Sequence, residues 1–264
     1  MYDYNKYKRV FAFGCSFTGY KYPTWANIMG KHISQAEFYN LGRSGGGNVF
    51  IANRITEANR YFKFCETDLV MVMWSTFCRE DRYRAGPGWV TPGNIYSQSE
   101  YDFTNGKYLA AWGNPLTYLV RDLSVIEMTD TFLNSLPCDT LKLLSVPFSH
   151  QQELNDSKTN YLLDLYQSLE DSLPNNLFDL EMNGNWDNGS KYIESWSAPN
   201  YHEDYHPSTL RYANYLKKIG IELSDEAMQY AIDSNNALQQ ITHYTEFEQV
   251  FPNIDPRTVP SELL

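Results

Sequence analysis

Hydrophobic and polar positions follow two rhythms along this chain. Short apolar runs, the mark of buried strands, give way to stretches where apolar residues recur every third or fourth position, the mark of helices packed by one face. Arg9-Val10-Phe11-Ala12-Phe13 is the first run and ends at Gly14. Trp25, Ile28, Met29 and His32 then share a helical face. Glu37-Phe38-Tyr39-Asn40-Leu41 predicts a second strand, which leads into the glycine-rich turn GRSGGGN at 42–48. Ile51, Ile55, Ala58 and Phe62 form the clearest helical stripe in the chain. Asp68-Leu69-Val70-Met71-Val72-Met73-Trp74 is nearly continuous, as expected of a strand covered on both faces.

Over 82–115 the periodicity stops in a stretch rich in Gly, Pro, Tyr and Trp. Loops of that length inside a compact domain are lids or binding loops when their aromatic content argues against disorder. A helical pattern resumes at 116–136, and DTLKLLSV at 139–146 predicts a fourth strand. Helices are expected over 158–172, 207–221 and 224–241, with a candidate fifth strand at 177–180. Strands alternating with helices imply an α/β fold with a parallel sheet between helix layers. No repeat or linker divides the chain, so the expectation is one domain over 1–244, carrying an aromatic insertion at 82–115, and a proline-containing extension over 245–264.

Composition narrows the function. A chain of 264 residues can bury a large core. No apolar run reaches the length of a membrane span, and MYDYNKYKRVFAF lacks the layout of a signal peptide, so a soluble, cytoplasmic protein is expected. The formal charge of −11 disfavours nucleic acid and anionic membranes as partners. Cys15, Cys65, Cys78 and Cys138 form no C-x-x-C pair, which suggests free thiols rather than a metal knuckle or disulfide framework. Aromatic residues make up 16%, including 21 Tyr, enough to furnish a stacking surface for a ligand beyond core packing.

One motif matches a known pattern literally: HEDYH at 202–206 is H-E-x-x-H, which binds zinc when a helix puts both imidazoles on one face. Pro207 opposes that helix, because a residue before proline is pushed out of the α region and proline favours the first helical position. HEDYH then lies in the loop that feeds the next helix. His206 stands at a loop-to-helix junction beside Glu203 and Asp204, as a general base would, and His202 is expected to be dispensable.

Ligands bind beyond the carboxyl ends of a parallel sheet's strands. Three turns lie there: GCSFTG at 14–19, NLGRSGGGN at 40–48 and WSTFCRE at 74–80. The first is no phosphate loop, since Tyr20 displaces Lys21 from register and no Ser or Thr follows. It suits a nucleophile instead. Ser16 needs a base, an acid to orient that base, and donors for the oxyanion. His206, Asp204 or Glu203, and the backbone N–H groups of Ser16 and Gly45 can supply these. Cys15 should point into the sheet as a small buried residue.

Gly14-Cys15-Ser16-Phe17-Thr18, Asn40-Leu41-Gly42-Arg43-Ser44-Gly45 and Asp204-Tyr205-His206-Pro207 together resemble three blocks of the SGNH (GDSL-like) hydrolases. The resemblance implies a three-layer α/β/α sandwich of about five parallel strands and ester hydrolysis through an acyl-serine, with Ser16 as nucleophile and Gly45 as an oxyanion donor. The family's acid normally stands where Glu203 does, whereas Asp204 is the first choice from its D-x-H-P setting. The third block departs more strongly: G-x-N-D is replaced by Trp74-Ser75-Thr76-Phe77, leaving Thr76 nearest the missing Asn, with Ser75, Arg79 or Asn48 as other inward candidates. Asn48, Arg79, Trp89 and Trp112 are candidate substrate contacts, Arg79 either for an anionic group or paired with Glu80 or Asp81. The expected substrate is a small-molecule or glycan ester, with no cofactor or metal; a non-catalytic glycan-binding or assembly protein on the same fold is the alternative. The Asn- and Tyr-rich style is similar to phage and marine bacterial hydrolases of that family, a phage-associated setting; the oligomeric state is left open.

Overall fold

The computed structural model describes residues 3–86, 88–96, 106–148, 157–185, 191–193, 201–203, 206–252 and 254, with the backbone alone for 157–159, 191–193, 201–203 and 244. Four parallel strands make the central sheet: β1 (Arg9–Phe13), β2 (Glu37–Asn40), β3 (Asp68–Trp74) and β6 (Asp139–Leu144), in the order β2-β1-β3-β6. Between β3 and β6 a short antiparallel hairpin, β4 (Arg82–Arg84) and β5 (Gly88–Val90), occupies part of the expected structureless insertion.

Alternation along the strands builds two cores. Val10, Ala12, Leu69, Met71, Met73, Leu141 and Leu143 face one side. There they meet helices α1 (Trp25–His32), α8 (Thr209–Lys218) and α9 (Asp225–Leu238) through Trp25, Ile28, Met29, Tyr212, Tyr215, Leu216, Ala227 and Ala231. Phe11, Phe13, Val70, Val72, Trp74 and Leu144 face the other side, against α2 (Asn48–Phe62) and α4 (Pro115–Asn134). The result is an α/β/α sandwich, and β3 is buried at every residue, as its unbroken apolar run requires.

The remaining helices are α3 (Gly106–Trp112), α5 (Ser157–Leu165), α6 (Gln167–Asp171), α7 (Leu177–Met182) and α10 (Phe247–Val250). Two expectations change. The fifth strand is α7, capped by Asn176, whose side-chain oxygen accepts from Asp179 N at 2.9 Å. The helix expected over 158–172 breaks at Tyr166 into α5 and α6. A second antiparallel pair, β7 (Lys191–Ile193) with β8 (Tyr201–Glu203), precedes the junction to α8. Among the described residues no helix is long and apolar enough to cross a membrane.

Parallel register decides what meets at the carboxyl edge. Phe13 lies beside Val72, and Ala12 beside Asn40. The loops after β2 and β3 therefore flank the loop after β1, which carries Ser16.

Candidate active site

The loop after β1 turns at once: Thr18 N and Gly19 N both donate to Cys15 O, at 2.9 and 3.0 Å. Helix α1 starts only at Trp25, so Ser16 sits on a turn within a longer loop rather than at a tight strand-to-helix junction. Cys15 is buried in the core below, as expected. Ser16 lies in the surface of the turn, largely covered.

Asn40 couples this loop to the next. Its Nδ2 donates to Thr18 O at 2.8 Å, and its Oδ1 accepts from Gly42 N at 3.0 Å. Gly19 and Gly42 then touch backbone to backbone; a Cβ on Gly19 would stand 2.4 Å from Gly42 O. Beyond Gly42 a turn closes with Gly46 N donating to Arg43 O at 3.0 Å, and Gly45 takes φ +76° within it. That left-handed conformation favours glycine, and the Cα also packs on Thr91 O. Among the described residues neither the Ser16 N–H nor the Gly45 N–H has an acceptor. Two backbone donors on adjacent loops thus find no acceptor among the described residues.

His206 is brought to the same loop by contacts of its ring, of its carbonyl and of the helix that follows it. Its ring stacks on Tyr20, with centroids 3.9 Å apart and planes at 17°, and meets Phe17 edge-on at 5.1 Å. The buried Tyr22 hydroxyl donates to His206 O and Pro207 O, each at 3.3 Å. Thr209, the first residue of α8, donates through Oγ1 to Pro23 O at 2.9 Å. The imidazole is therefore fixed against the residue that follows Ser16. Tyr20 and Tyr22 are not among the site residues expected from sequence.

His202 and Glu203 lie in the extended strand β8, so the helical spacing that an H-E-x-x-H zinc site needs is absent there. The side chain of Glu203 and all of Asp204 lie outside the described residues. Among the described residues no group of three or more His, Cys, Asp and Glu could hold a metal ion.

At the end of β3, Ser75 is sealed in. Its N–H donates to Asn48 Oδ1 at 2.9 Å, and Asn48 Nδ2 donates back to Ser75 O and to Asp122 Oδ2, both at 3.1 Å. Asn48 is fully buried and spends its carboxamide inside the fold, which removes it from the candidate substrate contacts. Burial pushes the Asp122 carboxyl up to about 6, against the pull of Arg121 and Asn48. Thr76 is half-buried and accepts a hydrogen bond from Arg79 Nε at 3.0 Å. The Arg79 Nη1 donates to Gly46 O at 3.2 Å, and its charge also acts on the Asp81 carboxylate. Glu80 instead pairs with Arg82 and Arg121, and Asp81 accepts from Gly47 N and Phe50 N at the start of α2, both at 2.9 Å.

The two tryptophans part company. Trp89 is mostly covered, packing on Phe50 and Tyr83, and lines a cleft with Arg43, Ser44, Gly45, Thr91 and Pro92. Trp112 is 64% exposed on α3 and lines a cleft with Glu80, Arg82, Tyr108, Tyr118 and Arg121. A second cleft, of about 290 Å³, opens beside Tyr20 and is lined by Lys21, Asn40, Gly42, Ser44 and Ile254.

No family model matches the chain, and no curated protein does. Among solved structures it is similar to a member of the lipolytic protein G-D-S-L family from Veillonella parvula, at 12% identity over 79% of this chain and 96% of that one, with a TM-score of 0.42. It is also similar to a catalytic mutant of Axe2, an acetylxylan esterase from Geobacillus stearothermophilus, at 12% identity over 81% and 95% of the two chains, with a TM-score of 0.40.

Proposed function

We propose that the protein is a serine esterase in which Ser16 is the nucleophile and His206 the base, with Asp204 or Glu203 orienting the imidazole. The observation that carries this reading is the packing of His206 on Phe17 and Tyr20, within the loop of Ser16. The N–H groups of Ser16 and Gly45, without an acceptor among the described residues, support it as oxyanion donors.

In this mechanism Ser16 Oγ attacks the ester carbonyl while His206 takes the hydroxyl proton. The oxyanion is held by the Ser16 and Gly45 N–H groups and the Thr76 hydroxyl. Collapse expels the alcohol, which receives the proton from His206. Water then attacks the acyl-serine; His206 takes a proton from that water and returns it to Ser16 Oγ as the carboxylic acid leaves. The favoured substrate is an O-acylated carbohydrate, supported by the exposed Trp112 above a cleft lined by Tyr108 and Tyr118, a surface on which a sugar ring can stack.

Hydrolysis of 4-nitrophenyl acetate tests the chemistry. Ser16→Ala and His206→Ala should each lower kcat by about 10³-fold or more, whereas His202→Ala and a chelator should leave the rate unchanged. An undiminished Ser16→Ala protein rejects the reading. Trp112→Ala should raise KM for acetylated xylo-oligosaccharides by about tenfold without affecting 4-nitrophenyl acetate; equal effects on both would reject the glycan assignment.

A further inference from the structure

The third block lacks the Asn that donates to the oxyanion, and the structure carries a different arrangement at that strand end. Arg79 Nε donates to Thr76 Oγ1 at 3.0 Å and Nη1 donates to Gly46 O at 3.2 Å. One planar guanidinium thus spans the loops after β3 and β2, which flank the Ser16 loop on its two sides. We propose that Arg79 is a positioning residue that joins Thr76 and the Gly45 turn into a single oxyanion site. The inference rests on the serine-esterase reading above.

The chemistry follows from what a hydroxyl can do. Thr76 Oγ1 has one proton to give and two lone pairs to receive with. Once Arg79 Nε–H fills a lone pair, the hydroxyl proton is turned away from Arg79 and is available to a developing anion. The adjacent positive charge also polarises the O–H and strengthens it as a donor. The other half of the fork fixes Gly46 O, one residue beyond the Gly45 N–H. Arg79 itself sits on a firm base: its carbonyl accepts from Arg121 Nη2 at 2.7 Å, its backbone bridges to Asn94, and its Cβ stem lies against Gly47. A preorganised donor works only when such a base holds it in place.

A double-mutant cycle on 4-nitrophenyl acetate hydrolysis tests this. Thr76→Val keeps the volume and removes the hydroxyl; Arg79→Met keeps the length and removes the fork. Each should lower kcat by about tenfold or more with KM held within about twofold, since the lost interaction belongs to the transition state. Together they should lose no more than about threefold beyond the worse single variant, the mark of two residues acting as one unit. Arg79→Lys retains charge and stem and guards against a folding defect. It should still lose kcat, because one ammonium does not present two N–H groups in a fixed plane. Costs that multiply in the double variant, or an Arg79→Lys protein as fast as the parent, overturn the proposal. Phosphonylation of the parent at Ser16 separates the two readings: a parent that labels and turns over beside an unaffected Arg79→Met sinks this inference alone, while an inert, unlabelled parent sinks both.

Discussion

Gly19 and Gly42 decide how closely the first two loops approach, because any side chain on Gly19 would collide with Gly42 O. Gly19→Ala should therefore cost about 1–3 kcal/mol of stability, read from the urea midpoint, and should reduce activity with it. Tyr20 acts on orientation instead. Its ring fixes the plane of His206, so Tyr20→Ala should lower kcat about tenfold while the melting temperature moves little. At this scale the sequence marked Ser16, His206 and the Gly45 turn as candidates, since each lies in a block with its own turn chemistry. It did not show Tyr20 or Tyr22, which matter through contacts to a segment far along the chain. Asn48, expected to point inward to the site or to substrate, instead spends its carboxamide between Ser75 and Asp122, partners that lie far along the chain.

At the level of elements, polar side chains buried between helices do what the apolar pattern alone does not. Asp81 caps the start of α2 from the loop after β3, and Asn48 ties that helix to β3 and to Asp122 on α4. Asp122 carries a pH signature. Its carboxyl is pushed up to about 6 in the fold, whereas an unfolded Asp titrates near ~3.9. The folded state therefore binds this proton more tightly. Acidification from about pH 7 toward about pH 4 should raise the stability of the parent relative to Asp122→Asn, and the advantage should vanish as pH rises through about 6. Melting curves of both proteins across that window check the sign; a gap that is constant with pH would contradict it. Strand and helix periodicity was legible wherever the runs were long, as in β3 and α2. The 177–180 run was ambiguous because a short apolar stretch fits either element, and only the cap at Asn176 separates α7 from a strand. The hairpin of β4 and β5 escaped notice because its strands are too short for a period to register.

For the whole molecule, the described C-terminal residues Phe247 and Ile254 pack on the body. Phe247 is buried and stacks near Tyr22 with centroids 5.8 Å apart, and Ile254 O accepts from Asn27 Nδ2 at 2.7 Å. Phe247, just beyond the boundary expected at 245, is a core residue. Phe247→Ala should cost about 3–5 kcal/mol in denaturant unfolding, and the loss should reach Tyr22, which holds the His206 junction. The layered fold was readable from alternation alone, while the meeting of the Ser16 loop with residue 206 depends on long-range packing. That meeting is the centre of the account, and treating the folded protein with a fluorophosphonate and mapping the adduct by mass spectrometry tests it most directly. One adduct is expected, on Ser16, absent from Ser16→Ala and strongly slowed in His206→Ala. A folded parent that stays unlabelled, or an adduct on another residue, would contradict it.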